Sequence, residues 1–490
     1  MNESETNPSG NHDTPTQKRS LPRRLVNRLE VDRAVFYAIA QRIWQVLAGP
    51  VSMLVISSFF TEDMQGYFYA FASLMALQVF FELGLHAVVI PLVSHEFAHL
   101  SLNDEGALVG KKTALARLAS IYRLLARWYG GVSVLFVVGV GAAGIVMFSR
   151  KAGTIDWYGP WCATVVLTGL VLWTCAMTTI LEGCNQMSAV NSLRFMQGIA
   201  GNAFVWTSMV CGLGLWSAAV AVAVRLVGDV WVLGIRYRRL FKSLLETEAA
   251  AEVSWKEEIL PLQWKMGLRG IFGYLAYSVF TLIAFEYQTP AAAGQIGMTW
   301  TALNALEQAA FAWIGARGAL FGMLVARRDF RELDRVFFRL LWISLGMILA
   351  GASAFCAALV TLPQLPFPIA QKISDRLLPP ETVAIFCAGL AGLHVLRSLG
   401  TYLLAHKRDP LLLVALGSCS LTALLVWLTG REGGAFSMAV SYAGVVLVVN
   451  LPFTLVVWRR CRRSWHFANS SDADPSSFET PIPTSKLTSI

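Results

Sequence analysis

Three observations predict an all-α integral membrane protein, with about twelve transmembrane helices in two pseudo-repeated six-helix bundles. Charged residues are only 14% of the 490-residue chain, against about 25% in soluble proteins. Hydrophobic residues are 55%, clustered in runs of roughly 20, the length that crosses a bilayer as a helix. Basic residues gather in alternate loops between those runs, as they do where such loops stay on the cytoplasmic side. A soluble chain of this length would suggest about three domains. That reading is excluded here, as are a disulfide scaffold, a soluble enzyme carrying a membrane tag and a disordered chain.

In chain order the spans fall near residues 34 to 60, 66 to 93, 129 to 149, 158 to 180, 190 to 214 and 217 to 235. The second six fall near 262 to 286, 290 to 325, 338 to 362, 380 to 405, 409 to 429 and 434 to 458. Residues 1–33 form a polar N-terminal tail with no apolar core ahead of a cleavage site, so the first span directs insertion. The remaining units are a six-helix bundle over 34–235, a linker over 236–261, a second bundle over 262–458 and a tail over 459–490. Both ends are rich in Ser, Thr, Pro and Asn and read as disordered tails. Of the 40 Lys and Arg, 31 lie on the side of the N-terminus, 5 lie opposite and 4 lie within spans. This places both termini in the cytoplasm of a multi-pass protein. The net charge of +9 is therefore a topology signal and requires no nucleic acid.

Seven of the eight Cys lie in or against spans, without CxxC spacing, and read as buried thiols. Cys461, in the basic tail, is a weak lipidation candidate. The string His95-Glu96-Phe97-Ala98-His99 matches the H-E-x-x-H pattern of zinc proteases. It lacks a third ligand and sits at the exit of the second span, so no metal is assigned to it. No phosphate loop or dinucleotide fingerprint occurs, and no cofactor is expected.

The order of elements suggests an internal repeat. Gln65-Gly66 opens a run ending in Ser73 to Leu77, and Gly294 opens one containing Ala302 to Leu306. Each carries a Glu, Glu82 or Glu307, and each is followed by a basic amphipathic stretch. Leu115, Leu118, Ile121, Leu125 and Trp128 make one apolar stripe; Phe330, Leu333, Phe337 and Leu340 make the other. Helices of this kind are expected to lie in the inner interface. The outer loops are short, the longest running from about Leu362 to Glu381, with no catalytic set. Such a layout points to a transporter, not an enzyme.

Each charge at bilayer depth costs about 2.5 to 3.5 kcal/mol on insertion scales and must face a partner or a wet cavity. Arg42 lies about two turns into the first span. Arg225 and Asp229 share a helix face in the sixth, where mutual neutralisation and a transport role are both open. Glu82 sits beside Gly84 and His86, Glu307 beside Asn304 and Gln308, and Arg397 beside His394. Arg317 and Arg269 are nearer the inner interface, where long side chains snorkel. The excess of Arg over acid favours a cavity for an anion, and phosphate suits the planar, always charged guanidinium. Arg42, Arg225 and Arg397, then Arg317 and Arg269, are the candidate substrate-binding cations. Glu82, Asp229 and Glu307 are candidates for ion coupling or for bracing those cations.

The stretch GPVSMLVISSFFTEDMQGYFYAFASLMALQVFFELGL with Ser94-His95-Glu96, WKEEILPLQWKMGL from Trp255, FEYQTPAAAGQIGM from Phe285, LVARRDFRELD from Leu324 and HKRDP at His406 carry a family resemblance. Over about residues 34 to 458 the chain resembles the bacterial polysaccharide (O-antigen type) flippases of the multidrug, oligosaccharidyl-lipid and polysaccharide exporter superfamily. The resemblance implies a two-bundle, twelve-helix fold in the bacterial inner membrane. It also implies transport of a polyprenyl-pyrophosphate-linked oligosaccharide for surface or exported polysaccharide, with the lipid bilayer and the lipid-linked saccharide as partners. Ala316 to Gly322 departs from the family pattern by lacking a Pro, which bears on the helix geometry there. Two other readings stand: an ion-coupled multidrug or metabolite exporter, disfavoured by the absence of an acid in the first span, and a non-transporting scaffold for polysaccharide-assembly enzymes. A glycan polymerase or a zinc protease ranks below both.

Overall fold

The computed structural model describes residues 33–151, 153–248 and 254–467, so of the expected tails it describes Arg33 and residues 459–467, which continue the last helix. Apolar runs form helices because a helix satisfies its own backbone hydrogen bonds where water is absent. In chain order these are α1 (Arg33–Phe59), α2 (Glu62–Met75), α3 (Gln78–Glu82), α4 (Leu85–Phe97), α5 (Lys112–Ser149), α6 (Tyr158–Gly183), α7 (Met187–Val210), α8 (Trp216–Trp231) and the short α9 (Arg238–Glu246). They continue as α10 (Leu260–Tyr277), α11 (Phe280–Tyr287), α12 (Pro290–Gly315), α13 (Gly318–Ala326), α14 (Phe330–Thr361), α15 (Pro368–Asp375), α16 (Pro380–Leu404), α17 (Leu412–Gly444) and α18 (Leu451–Phe467). A two-stranded antiparallel hairpin, β1 (Leu100–Leu102) and β2 (Leu108–Gly110), pairs Leu100 with Gly110 between α4 and α5.

The protein is an all-α membrane protein with eight helical segments long and apolar enough to span a bilayer, or ten if two bent helix pairs each count as one. The sequence expectation exceeds this by two, and the difference lies in two places. The segment Leu412–His466 counts once, yet Gly434 has φ 64° and ψ −160° inside α17. Thr429 Oγ1 lies 2.9 Å from Ser441 Oγ, whereas residues twelve apart in a straight helix are separated by about 18 Å. The chain therefore doubles back at Gly434. The other place is α7, whose 24 residues are long enough to span but more polar.

Both amphipathic stretches correct the sequence reading. Neither lies as a separate interfacial helix. Lys112 to Trp128 is the first half of the 38-residue α5, and Phe330 to Leu340 is the start of the 32-residue α14. A helix of 38 residues rises about 57 Å, well beyond the roughly 30 Å hydrocarbon core, so its basic half projects from the membrane. The apolar stripe is used in packing: Leu118, Ile121 and Leu125 are fully buried, with α9 packed against α5. Trp128 stacks on Trp255 at 4.6 Å.

Helices α1 to α8 pack chiefly among themselves, as do α10 to α18, and the broadest contact between the two groups is α2 against α12. These two helices start alike. Thr61 caps α2 by accepting from Met64 N at 3.2 Å, and Thr289 caps α12 by accepting from Ala292 N at 3.1 Å. Both spans are broken lower down. The second breaks at Leu83 and Gly84, both left-handed (φ 48° and 67°), with a 48° bend. A Cβ on Gly84 would sit 2.6 Å from Met266 Cβ, so the break lets α10 of the other bundle approach. In the eighth span the helix is interrupted at Ala316-Arg317, between α12 and α13, where the family's Pro is missing.

Candidate functional site

The basic loops lie at one end of the bundle pair, and the opposite end is closed. Gly66 and Gly294 meet there, and a Cβ on Gly66 would lie 1.9 Å from the Pro290 carbonyl oxygen. Buried Gln65 donates Nε2 to Gly294 O at 2.9 Å and to Arg376 O at 3.2 Å. Arg376 donates to Phe60 O at 2.6 Å and to Gln65 Oε1 at 3.3 Å. Burial holds the Arg376 guanidinium below its usual pKa, with Glu62 and Asp375 pulling the other way. Beside this, Arg150 pairs with Glu286 at 2.7 Å, and Lys151 donates to the carbonyls of Glu286 and Gln288. An aromatic cluster backs the closure: Tyr67 and Phe148 lie 4.9 and 5.3 Å from Phe285. Three of the few basic residues at this end thus tie one bundle to the other.

Below the closure the two seams between the bundles differ. Along α3, α4 and α10 the surfaces are in contact: Tyr274 donates to Ser73 O at 2.7 Å, and Phe80 lies 5.3 Å from Tyr274. Along α1 and α12 they part. A cavity of about 360 Å³ is lined by Arg42, Gln45, Ser52, Asn202, Asn304 and Gln308 among others. A second, of about 690 Å³, is lined by Ile39, Trp313, Arg317, Leu320, Glu332, Arg335, Arg339 and Ile343 among others. Their linings succeed one another on the same helix faces. On α12, Thr301, Asn304 and Gln308 give way to Ala312 and Trp313, with Ala316 and Arg317 just beyond its end; on α1, Ser52, Gly49, Gln45 and Arg42 give way to Ile39. Residues three or four apart share a helix face, so the two cavities follow one another along α1 and α12. Arg42, Arg317 and Arg339 are exposed in them and, among the described residues, have no ion-pair partner. Arg335 reaches Glu332 at 3.3 Å.

The other sequence candidates lie elsewhere. Arg397 donates to Glu307, which is 2% exposed, and stacks over Phe311 at 4.3 Å. These residues line a separate cavity of about 450 Å³ inside the second bundle, together with Asp409, Asn450 and Thr454. In the first bundle Asp229 is not paired with Arg225. It is buried and accepts from Thr174 at 3.0 Å and Gln197 at 2.8 Å. Arg225 is exposed, and it and His86 lie near enough to act on half-buried Glu82. Arg269 lies in α10, with its side chain outside the described residues. Among the described side chains the intramembrane cations therefore do not converge on one point.

Several residues of the polar architecture escaped the sequence reading. Buried Glu182 holds Arg194 at 2.5 Å and His86 at 3.2 Å; Arg194 falls inside the span near 190 to 214 but is not among the candidate charges. Arg335 and Arg339 read as interfacial, and Arg376 lies in a Pro-rich loop with no motif. A signal for the last was present, since a basic residue at the end poor in positive charge needs a reason. The HEFAH string is also resolved: α4 ends at Phe97, leaving His99 beyond it, and Glu96 pairs with Arg117 at 3.3 Å.

No family model matches the chain, and no curated protein matches it. Solved structures do. The chain is similar to "Lipid II flippase MurJ, inward closed conformation", with TM-score 0.59, 11% identity, and 87% of each chain covered. It is also similar to an outward-facing multidrug resistance MATE family transporter of the MOP superfamily, with TM-score 0.50, 12% identity, and 89% of this chain and 98% of that one covered. At such identities the likeness is one of fold: this chain is an all-α membrane protein with the architecture of those transporters.

Proposed function

We propose that the chain is a transporter, not an enzyme, and that it flips a polyprenyl-pyrophosphate-linked oligosaccharide across the bacterial inner membrane for surface or exported polysaccharide. The observation that carries this is the succession of two cavities along α1 and α12, read as one groove, in which exposed Arg42, Arg317 and Arg339 stand among apolar walls of Ile39, Trp313, Leu320 and Ile343. An amphiphile with an anionic head fits such a surface. Guanidinium groups pair with phosphate oxygens through planar forks of donors, the apolar walls suit a prenyl chain, and Gln45, Asn202, Asn304 and Gln308 offer hydrogen bonds to sugar hydroxyls.

On this reading Arg42 and Arg317 keep the role the sequence suggests, and Arg335 and Arg339 join them. Arg397, committed to Glu307, and Arg225, on α8, are left out of headgroup binding. The basic end is the cytoplasmic one by its loops, with both termini on that side. The closure at Gln65, Gly294 and Arg376 then faces the outside, and alternating access requires it to part as the cytoplasmic side closes. The fold shared with a lipid II flippase supports the same class of substrate. A drug exporter for organic cations would need unpaired acids in this groove, and the one acid among its described lining residues, Glu332, is close to Arg335. Docking of polysaccharide-assembly enzymes is compatible with either transport reading.

The test is movement of a synthetic polyprenyl-pyrophosphate N-acetylglucosamine in vesicles reconstituted with the full chain. Replacing Arg42, Arg317 or Arg339 by Gln is expected to slow it about tenfold or more each, the scale of a lost charged hydrogen bond. Unchanged rates in all three would overturn the groove as the headgroup path.

A further inference from the structure

We infer that Glu307 and His394 together form a proton-binding site, with His394 Nδ1 as the atom that takes the proton, and that transport is coupled through it. The inference rests on the transport reading for its purpose but not for its chemistry.

The geometry is that of two acceptors turned towards each other. His394 is fully buried and Glu307 nearly so. Ser344 donates its hydroxyl to Leu341 O at 3.1 Å, so at 2.8 Å from His394 Nε2 its oxygen is the acceptor and Nε2 carries the hydrogen. In the neutral ring, Nδ1 is then a bare lone pair. It faces Glu307 Oε1 at 3.7 Å, too far for a hydrogen bond. Both atoms are buried without a hydrogen-bond partner. The other carboxylate oxygen, Oε2, is held by Arg397.

Buried polar atoms in native proteins are nearly always paired, and exceptions call for an explanation. A single proton removes both of these. It adds to the Nδ1 lone pair, forming an N–H bond and an imidazolium that donates to Ser344 through Nε2 and to Glu307 through Nδ1. It leaves by the reverse step. A charge-assisted bond of this kind is about 2.7 to 2.9 Å long, so uptake draws α16 towards α12 by close to 1 Å at this point, and release lets them part.

Arg397, Glu307 and neutral His394 sum to zero charge, and with the proton to plus one. The other groups facing the triad are few. Ser344 comes from α14 and the ring of Phe311 from α12; Asp409 lines the same cavity from the loop after α16, while Asn450 and Thr454 face it from the last span. Asn304 lines both this cavity and the groove that holds Arg42. The proton site and the proposed substrate path are therefore separated by one helix, α12, which both would move.

Two measurements test this on the full chain. In nanodiscs, the ring nitrogens of ¹⁵N-histidine-labelled protein are followed over about pH 5 to 8, the range in which imidazole changes charge. His394 is expected to gain a proton in the wild type and to stay neutral in Glu307→Gln. In vesicles, a pH gradient of about one unit, a roughly tenfold ratio of proton activity, is expected to speed the polyprenyl-pyrophosphate N-acetylglucosamine probe severalfold. The ratio of rates with and without the gradient is expected to fall to about one in Glu307→Gln and His394→Gln. A His394 that stays neutral throughout in the wild type, or a gradient response that survives in His394→Gln, overturns the proposal. If either variant fails to fold, the wild-type titration still decides. Failure of the wild type to move the probe, with His394 titrating as expected, removes the proposed substrate and leaves the proton site standing.

Discussion

Gly66 lies directly against Gly294, with a Cβ built on Gly294 falling 3.0 Å from the Gly66 nitrogen. Both glycines stand five residues after a capping threonine, Thr61 and Thr289, one in each half of the chain. Equivalent positions of two repeats touch when they lie at the axis that relates them, as the same patch does on both sides of a two-fold interface. This contact is the firmest structural sign of the repeat suggested by the order of elements. Gly66→Val is expected to force the two bundles apart at this end and to lower stability by about 1 to 3 kcal/mol, the usual range for overpacking. Thermal unfolding in detergent measures it, and Gly273→Val, which has open space around it, is the control.

Arg376→Gln is expected to loosen the closed end. It removes charged hydrogen bonds to Phe60 O and Gln65, each worth about 1.5 to 3 kcal/mol. Spin labels on cysteines placed at exposed Glu62 and Lys372 should then show a longer, broader distance distribution than in the otherwise unchanged protein. An identical distribution would mean that the aromatic cluster and the Arg150 to Glu286 pair hold the closure alone.

Gln197→Ala is expected to cost more than Arg225→Ala in stability. Gln197 satisfies buried Asp229, and its loss strands a carboxylate oxygen at a cost of about 1 to 3 kcal/mol. Arg225 is exposed and makes no ion pair with Asp229. Thermal unfolding of the two variants ranks them, and the reverse order would restore the pairing read from their spacing.

His406 supplies a pH dependence outside the spans. Burial pushes its pKa below the usual value, assisted by Arg408, while the Tyr402 carbonyl and Asp334 oppose. A histidine so shifted binds its proton more weakly folded than unfolded, so the unfolded state gains stability as pH falls below about 6.5. Thermal stability should therefore decline from there until the pH passes the lowered folded value. His406→Phe, which keeps a ring beside Phe330 and Trp465, should flatten part of that decline below about pH 6.5.

The spans were legible because insertion into a bilayer depends on local hydropathy, a property of consecutive residues. The breaks near Gly84 and Arg317 were not, because a continuous apolar run looks the same whether or not its helix is interrupted. The amphipathic stretches were misplaced because their stripe looks the same on a membrane surface as on a helix packed against α9. The reversal at Gly434 was legible too, since the sequence reading ends one span near 429 and opens the next near 434, and the contact between Thr429 and Ser441 agrees with it.

The candidate site was legible only in part. Arg42 and Arg317 were visible as charges in apolar runs, but so were Arg225 and Arg397, and their depth along the chain ranked Arg317 below those two. What separates them is who stands opposite: Glu307 lies 90 residues from Arg397, and Gln197 lies 32 residues from Asp229.

By itself the sequence determined that this is a polytopic helical membrane protein, which loops are basic, and which few charges must be explained at bilayer depth. These follow from composition along a line, read one window at a time. The tertiary structure alone decided that Arg42 lines one cavity and Arg317 and Arg339 the next along α1 and α12 while Arg397 is bound to Glu307, that Arg376 bridges to Phe60 across 316 residues, and that His394 faces Glu307 with both atoms unpaired. The reason is physical. Hydropathy is additive along the chain, but the state of a buried charge is set by the partner that packing brings within about 3 to 4 Å of it.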